Sequence, residues 1–313
     1  MHPPDRILAY LRYYPNNKGT RLRDGVRYAK IYNLSGRRSL LKRKWPQYLY
    51  YDEVQGRELQ GVPKNKIRNL HSPAQKPMAL LRSRQKDPLE TNAIRLIQIL
   101  SHESSVPLAS FGISGSLLVG LHRPGSDIDL VVYGAEESKR VHSSLLSLLN
   151  NDQRFHRYSA RNLRRLYMRR GLQQAIAFRD FAGQERRKVF EGKFMGHDYF
   201  FRCVKRWTEI TERYGEVRYS PMGRCTISGW VSDDAESLLT PCTYSLERVR
   251  VLEGAGSRRP SEVVSFRGRF AEQASSGERI VARGRLENVQ SDGSQHFRLV
   301  VGESTRDVLK TIE

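Results

Sequence analysis

The sequence predicts an α+β protein in three parts: a basic, aromatic-rich β module at residues 1–85, a core with helices and strands at 86–218, and a small β-barrel at 219–313. Three observations lead there. The 313 residues carry their net charge of +21 unevenly, with 19 Lys/Arg against 5 Asp/Glu in residues 1–85 and 17 against 8 in 151–218, but 5 against 7 in 86–150 and 13 against 13 in 219–313. Short apolar runs broken by Gly and Pro mark strands and turns at both ends of the chain. Helical periodicity gathers in the middle, next to a stretch in which a glycine turn precedes two aspartates alternating with apolar residues.

In the first part, Tyr10-Leu-Arg-Tyr-Tyr14, Tyr28-Ala-Lys-Ile-Tyr32 and Trp45-Pro-Gln-Tyr-Leu-Tyr-Tyr51 interleave aromatics with cations between Pro15, Gly19, Gly25, Gly36, Pro46, Gly56 and Gly61. That pattern predicts small strands and turns rather than long helices. Aromatic rings can stack on bases while Lys and Arg hold phosphates. Residues 63–85 read as a connector. Asp87 then caps a helix with Pro88 at its first position, and Leu89, Ala93, Leu96, Ile97 and Leu100 share one face.

A strand at Leu108–Ile113, a tight Gly115-Ser116 turn, a short helix at Leu117–Leu121 and a strand at Asp127–Val132 follow, then a helix over 136–149. Because strand side chains alternate, Asp127 and Asp129 point to one face and Ile128, Leu130 and Val132 to the other. Two hard carboxylate ligands aimed together beside a glycine turn, whose backbone N–H groups a phosphate can approach, suit Mg²⁺ and a nucleoside triphosphate. A lone Asp-x-Asp triplet would be read as a solvated loop. Here the turn, the spacing, the paired acids and the apolar Leu130-Val131-Val132 continuation agree.

This segment resembles the Gly-Ser…Asp-x-Asp signature of the polymerase-beta-like nucleotidyltransferase superfamily. The resemblance implies a mixed-sheet core that transfers a nucleoside monophosphate from a nucleoside triphosphate and releases pyrophosphate. It also implies Mg²⁺ (or Mn²⁺) on Asp127 and Asp129, and nucleotide contacts from Gly115, Ser116 and Ser126. The superfamily adds a third acid from a later core strand. Asp198, in the strand-like 197–204 run, is the candidate and Glu191 the competitor. The three-part layout also looks like a group of predicted archaeal nucleotidyltransferases, and it departs from the CCA-adding enzymes in lacking a further domain with their nucleotide-selecting motifs.

Arg154, Arg157, Arg161, Arg164, Arg165, Arg169 and Arg170 crowd a segment in which Leu163, Leu166 and Tyr167 form an apolar stripe. As a helix it exposes guanidinium groups suited to phosphates, and Arg157, Arg161, Arg164 and Arg165 are the candidate nucleic-acid contacts. Residues 187–204 read as a hairpin about Met195-Gly196. The last part holds strands near 225–231, 244–252, 262–270, 278–289 and 296–301, the spacing of a small barrel. Its zero net charge predicts a structural or docking role at the periphery.

The basic excess on both flanks of an acidic centre points to a polyanionic partner, with RNA, such as tRNA, as the expected acceptor. Transfer onto a protein or small molecule, and a non-catalytic RNA-binding role, are the alternatives. No run of 18 apolar residues exists and the first residues lack a signal-like stretch, so a cytoplasmic protein without a membrane span is expected. Cys203, Cys225 and Cys242 are too scattered for a zinc or disulfide framework.

Overall fold

The computed structural model describes residues 2–254 and 256–312. The N-terminal module holds two three-stranded antiparallel sheets. Strands β1 (Arg6–Leu8), β5 (Leu49–Asp52) and β6 (Arg57–Pro63) form one, in the order β1-β6-β5. Strands β2 (Tyr13–Pro15), β3 (Arg21–Arg23) and β4 (Val26–Lys30) form the other, with β4 central. Between them lies a helix that strand and turn signals did not foretell, α1 (Leu34–Lys44). Asn33 caps it by accepting the Gly36 N–H, and Leu40 and Leu41 bury its inner face. A glycine in the first turn and a cationic surface hide such a helix from periodicity.

The connector is not a free linker. It contains α2 (Lys76–Arg82), whose Leu80 enters the same apolar cluster as the core helices, and the Pro73 carbonyl accepts the Ile113 N–H at 3.0 Å. The core then runs α3 (Pro88–Ser104), β7 (Phe111–Ile113), α4 (Gly115–Leu118), β8 (Ile128–Tyr133), α5 (Ala135–Asn151), β9 (Phe155–His156), α6 (Ala160–Arg170), α7 (Phe178–Arg187), β10 (Glu191–Phe194) and β11 (His197–Val204). Asp87 and Glu90 close a capping box on α3. The five strands form a mixed sheet in the order β7-β8-β11-β10-β9, with β8 and β11 parallel and the other pairs antiparallel.

Alternation divides this sheet. Ile128, Leu130 and Val132 of β8 and Tyr199, Phe201 and Cys203 of β11 bury one face against Leu96, Ile97 and Leu100 of α3 and Val141 and Leu145 of α5. Burying a side chain of this size is worth about 1.5–3 kcal/mol, so this face fixes the register. Every residue on the opposite face is thereby assigned a direction. Phe200 pairs with Asp129 across the parallel ladder. The β10–β11 hairpin turns on Met195 and Gly196, with φ of 47° and 84°, the two left-handed residues of a tight hairpin turn.

The C-terminal part has β12 (Arg218–Asp233), β13 (Cys242–Gly254), β14 (Glu262–Ser265), β15 (Arg279–Ser291), β16 (Ser294–Val300) and β17 (Val308–Ile312). They are ordered β12-β13-β14-β16-β15-β17, and β12 pairs with β15 as well. Ile227, Tyr244, Ile280, Leu286 and Leu299 fill the interior. This domain docks on the core through Glu272, whose carboxylate accepts the N–H groups of Val189 (2.7 Å) and Phe190 (3.1 Å). It meets the N-terminal module where Arg57 pairs with Glu303 and where the Tyr219 N–H reaches the Val54 carbonyl at 2.8 Å. No helix among the described residues is long and apolar enough to cross a membrane.

Candidate active site

The site is built where the short α4 meets β8. Gly115 stands at φ +61°, and a Cβ there would lie 1.9 Å from Asp129 Oδ2. Glycine is required twice over, by the left-handed backbone and by the approach of the carboxylate. The Ser114 N–H donates to the Asp129 carbonyl at 2.8 Å, tying the turn to the strand. Ser116 is buried and its Oγ has no hydrogen-bond partner among the described residues. Such a group is costly unless something else occupies its bonding capacity.

Burial, together with the Asp127 charge, pushes the Asp129 carboxyl up to about 7, against the opposing pull of Lys30, Arg12 and Arg202. Burial lowers the Lys30 ammonium, and the Asp127 charge works against that shift. Two carboxylates in each other's field are thus poised to take a cation. Asp129 opens on a cleft of about 790 Å³ lined also by Arg12, Tyr13 and Lys30 of the N-terminal module, Ser114, Gly115, Phe200 and Arg202 of the core, and Phe266–Arg269 of the C-terminal domain.

A family model described as a nucleotidyltransferase domain matches residues 93–191, which hold the turn, both aspartates and α5 through α7. The chain is also 30% identical over 315 residues to the uncharacterized protein MJ1086 of Methanocaldococcus jannaschii, covering 98% of this chain and 90% of that one. The chain belongs to the polymerase-beta-like nucleotidyltransferase superfamily. No solved structure matches it.

In this nucleotidyltransferase the remaining expected site residues are placed as follows. Asp198 is on the same face of β11 as Phe200 and Arg202, but its Oδ1 accepts from Lys193 Nζ at 2.6 Å. Among the described residues no three His, Cys, Asp or Glu side chains form a group that could hold a metal. Glu191 is further removed in role, since it is buried against Arg170 at 2.6 Å, whose guanidinium also meets Glu185 at 3.0 Å. Burial raises the Glu191 carboxyl, and Arg170 opposes that. Ser126 closes the loop before β8: its N–H donates to the Arg123 carbonyl at 2.9 Å and its Oγ accepts the Arg123 N–H at 3.1 Å. It shapes the approach to Asp127.

Arg161, Arg164 and Arg165 stand exposed on α6, as its apolar stripe of Leu163, Leu166 and Tyr167 requires. Arg157 instead donates to the carbonyls of Arg186 and Lys188. None of the four lines the cleft.

The C-terminal domain, expected at the periphery, is one wall of that cleft. Its zero net charge misleads because many of its acids are engaged elsewhere: Glu287 by Arg285 and Arg298 and Asp307 by Arg224 within the domain, and Glu303, Glu278 and Glu236 by Arg57, Arg187 and Lys205 of the other parts. Arg267 and Arg269 are left over. The cations facing the aspartate pair, Arg12, Lys30 and Arg202, were likewise not legible in the sequence, because nothing local distinguishes them from the chain's other basic residues.

Proposed function

We propose that this nucleotidyltransferase moves a nucleoside monophosphate from a nucleoside triphosphate onto an acceptor hydroxyl of RNA, with Asp127 and Asp129 holding Mg²⁺ or Mn²⁺. The observation that carries this reading is the close approach of the Gly115 backbone to the Asp129 carboxylate, which sets that acid directly against the glycine turn. The donor set fits the metal: two carboxylates in each other's field suit an ion that takes its other ligands from substrate phosphates and water. When bound, the metal supplies positive charge to the triphosphate and acidifies the attacking hydroxyl.

The chain's own contribution is placement. The backbone of the Gly115-Ser116 turn would face the triphosphate, Asp127 and Asp129 would hold the metal against which it lies, and Lys30 and Arg202 add positive charge beside them. The acceptor hydroxyl gives up its proton to solvent water and its oxygen bonds to the α-phosphorus as the bond to the bridging oxygen of the β-phosphate breaks, and pyrophosphate departs with that electron pair. The exposed arginines of α6 and the basic N-terminal module supply the electrostatic attraction for RNA. Incorporation of α-labelled nucleotide into RNA, compared between the parent and Asp127→Asn, tests the reading. Equal incorporation by the two rejects it.

A further inference from the structure

We propose that the cleft contains a phosphate subsite assembled from all three parts of the chain, by Arg12 and Arg37 of the N-terminal module, Arg202 of β11, and Arg267 and Arg269 of the C-terminal domain. The proposal rests on the nucleotidyl-transfer reading for its place in catalysis, though not for the existence of the site.

Each of these residues lines the same cleft as Asp129. Arg37 is 2% exposed; its Nη2 donates to the carbonyls of Ile31 (3.5 Å) and Tyr32 (3.2 Å), while its Nε is buried with no partner. Arg269 Nε is also buried and unpartnered. Among the described residues none of the five forms an ion pair with a carboxylate. Of the other acids in the cleft besides Asp129, Glu58 is engaged by Arg38 and Glu303 by Arg57 and Arg285.

Burial pushes Arg37 down to about 10, and the charges of Arg12 and Arg267 add to the effect. Burial likewise pushes Arg269 down to about 10, with Arg170 and Arg267 adding to it. Guanidinium groups crowded and desolvated together, with Asp129 in their field but no carboxylate paired to any of them, are held only at a cost. A ligand with several oxyanions offsets that cost. Planar forks recognise phosphate oxygens in bidentate fashion, and a carboxylate would serve only one of five such forks.

The shared chemistry is a phosphate group, and it can come from the leaving end of the nucleoside triphosphate or from a terminal phosphate of the nucleic acid. Calorimetric titration of the metal-free full chain with inorganic tripolyphosphate, and with a short RNA oligonucleotide bearing or lacking a 5′-phosphate, separates the two. Arg267→Gln with Arg269→Gln should weaken the phosphate-bearing probe by roughly tenfold for each charge-assisted hydrogen bond removed. The domain junction should survive, since Lys188 docks on the Arg269 carbonyl rather than on its side chain. A melting curve checks this, and Arg202→Gln replaces the pair if it does not fold.

Loss confined to tripolyphosphate assigns the subsite to the nucleotide. Loss of preference for the 5′-phosphorylated oligonucleotide assigns it to the acceptor. A parent that binds neither probe, or a variant that binds both as the parent does, overturns the proposal. If the variants lose the probes but no nucleotide is ever incorporated by the parent, the subsite stands and the transfer reading falls.

Discussion

Gly115 and Asp129 approach so closely that the smallest possible side chain on the glycine would overlap the carboxylate, at 1.9 Å from Oδ2. The absence of a side chain on the turn is therefore part of the carboxylate's environment. Gly115→Ala should both strain the backbone at φ +61° and displace Asp129, costing about 1–3 kcal/mol of stability but far more in turnover. Thermal melting beside nucleotide incorporation checks this; a variant with normal turnover contradicts the close-approach account.

Asp129→Asn and Asp127→Asn should each keep the fold and reduce transfer by about a hundredfold or more, an effect that one preorganised electrostatic group commonly has. The Asp129 substitution carries a pH signature. Its folded carboxyl is raised to about 7 by burial and Asp127, so ionising it costs the fold nothing at low pH, and the cost grows as pH climbs from about 4 to 7. In chelator, the melting temperature of the parent should fall over that window relative to Asp129→Asn. Added Mg²⁺ should close the gap above pH 7, where no proton competes for the site.

Asp198→Asn should cost less than tenfold in transfer, because its carboxylate is engaged by Lys193 in a part-buried pair rather than left free for a ligand. A loss equal to that of Asp127→Asn would instead make it a third ligand. Arg170→Ala should be far more damaging to the fold, by about 3–5 kcal/mol, since it strands Glu191 as a buried charge and leaves Glu185 with Lys188 alone. Chemical denaturation separates these two outcomes.

Reversing Arg161, Arg164 and Arg165 to Glu should weaken RNA binding and flatten its salt dependence, by roughly 0.7 in log–log slope for each single-strand phosphate no longer neutralised. Tripolyphosphate binding should be unchanged, because none of the three lines the cleft. Filter binding at several salt concentrations reads the slope directly, and a slope equal to the parent's removes α6 from the RNA path.

Much of the core was legible because its signals are local. The Asp87 cap, the alternation through Asp127–Val132 and the two-residue turn at Met195-Gly196 each occupy a few consecutive residues that permit few backbone solutions. The cleft was not legible. Arg12, Lys30, Arg202 and Arg267 are brought together by packing among three parts of the chain, and no spacing in the sequence encodes that meeting. The third acid falls between these cases: the strand of Asp198 could be read from alternation, whereas its capture by Lys193 depends on a cross-strand pairing.

The guanidinium groups of Arg21 and Arg23, on β3, donate to the carbonyls of Leu121 and Val119, just past α4. The stretch that follows the Gly115-Ser116 turn is thus braced from outside the domain that carries the aspartate pair. A core of this kind cannot be traded between accessory modules as an interchangeable cassette. Whatever grips the N-terminal sheet also holds a lever on the turn, so the part of the chain least related to catalysis by sequence has a mechanical veto over it.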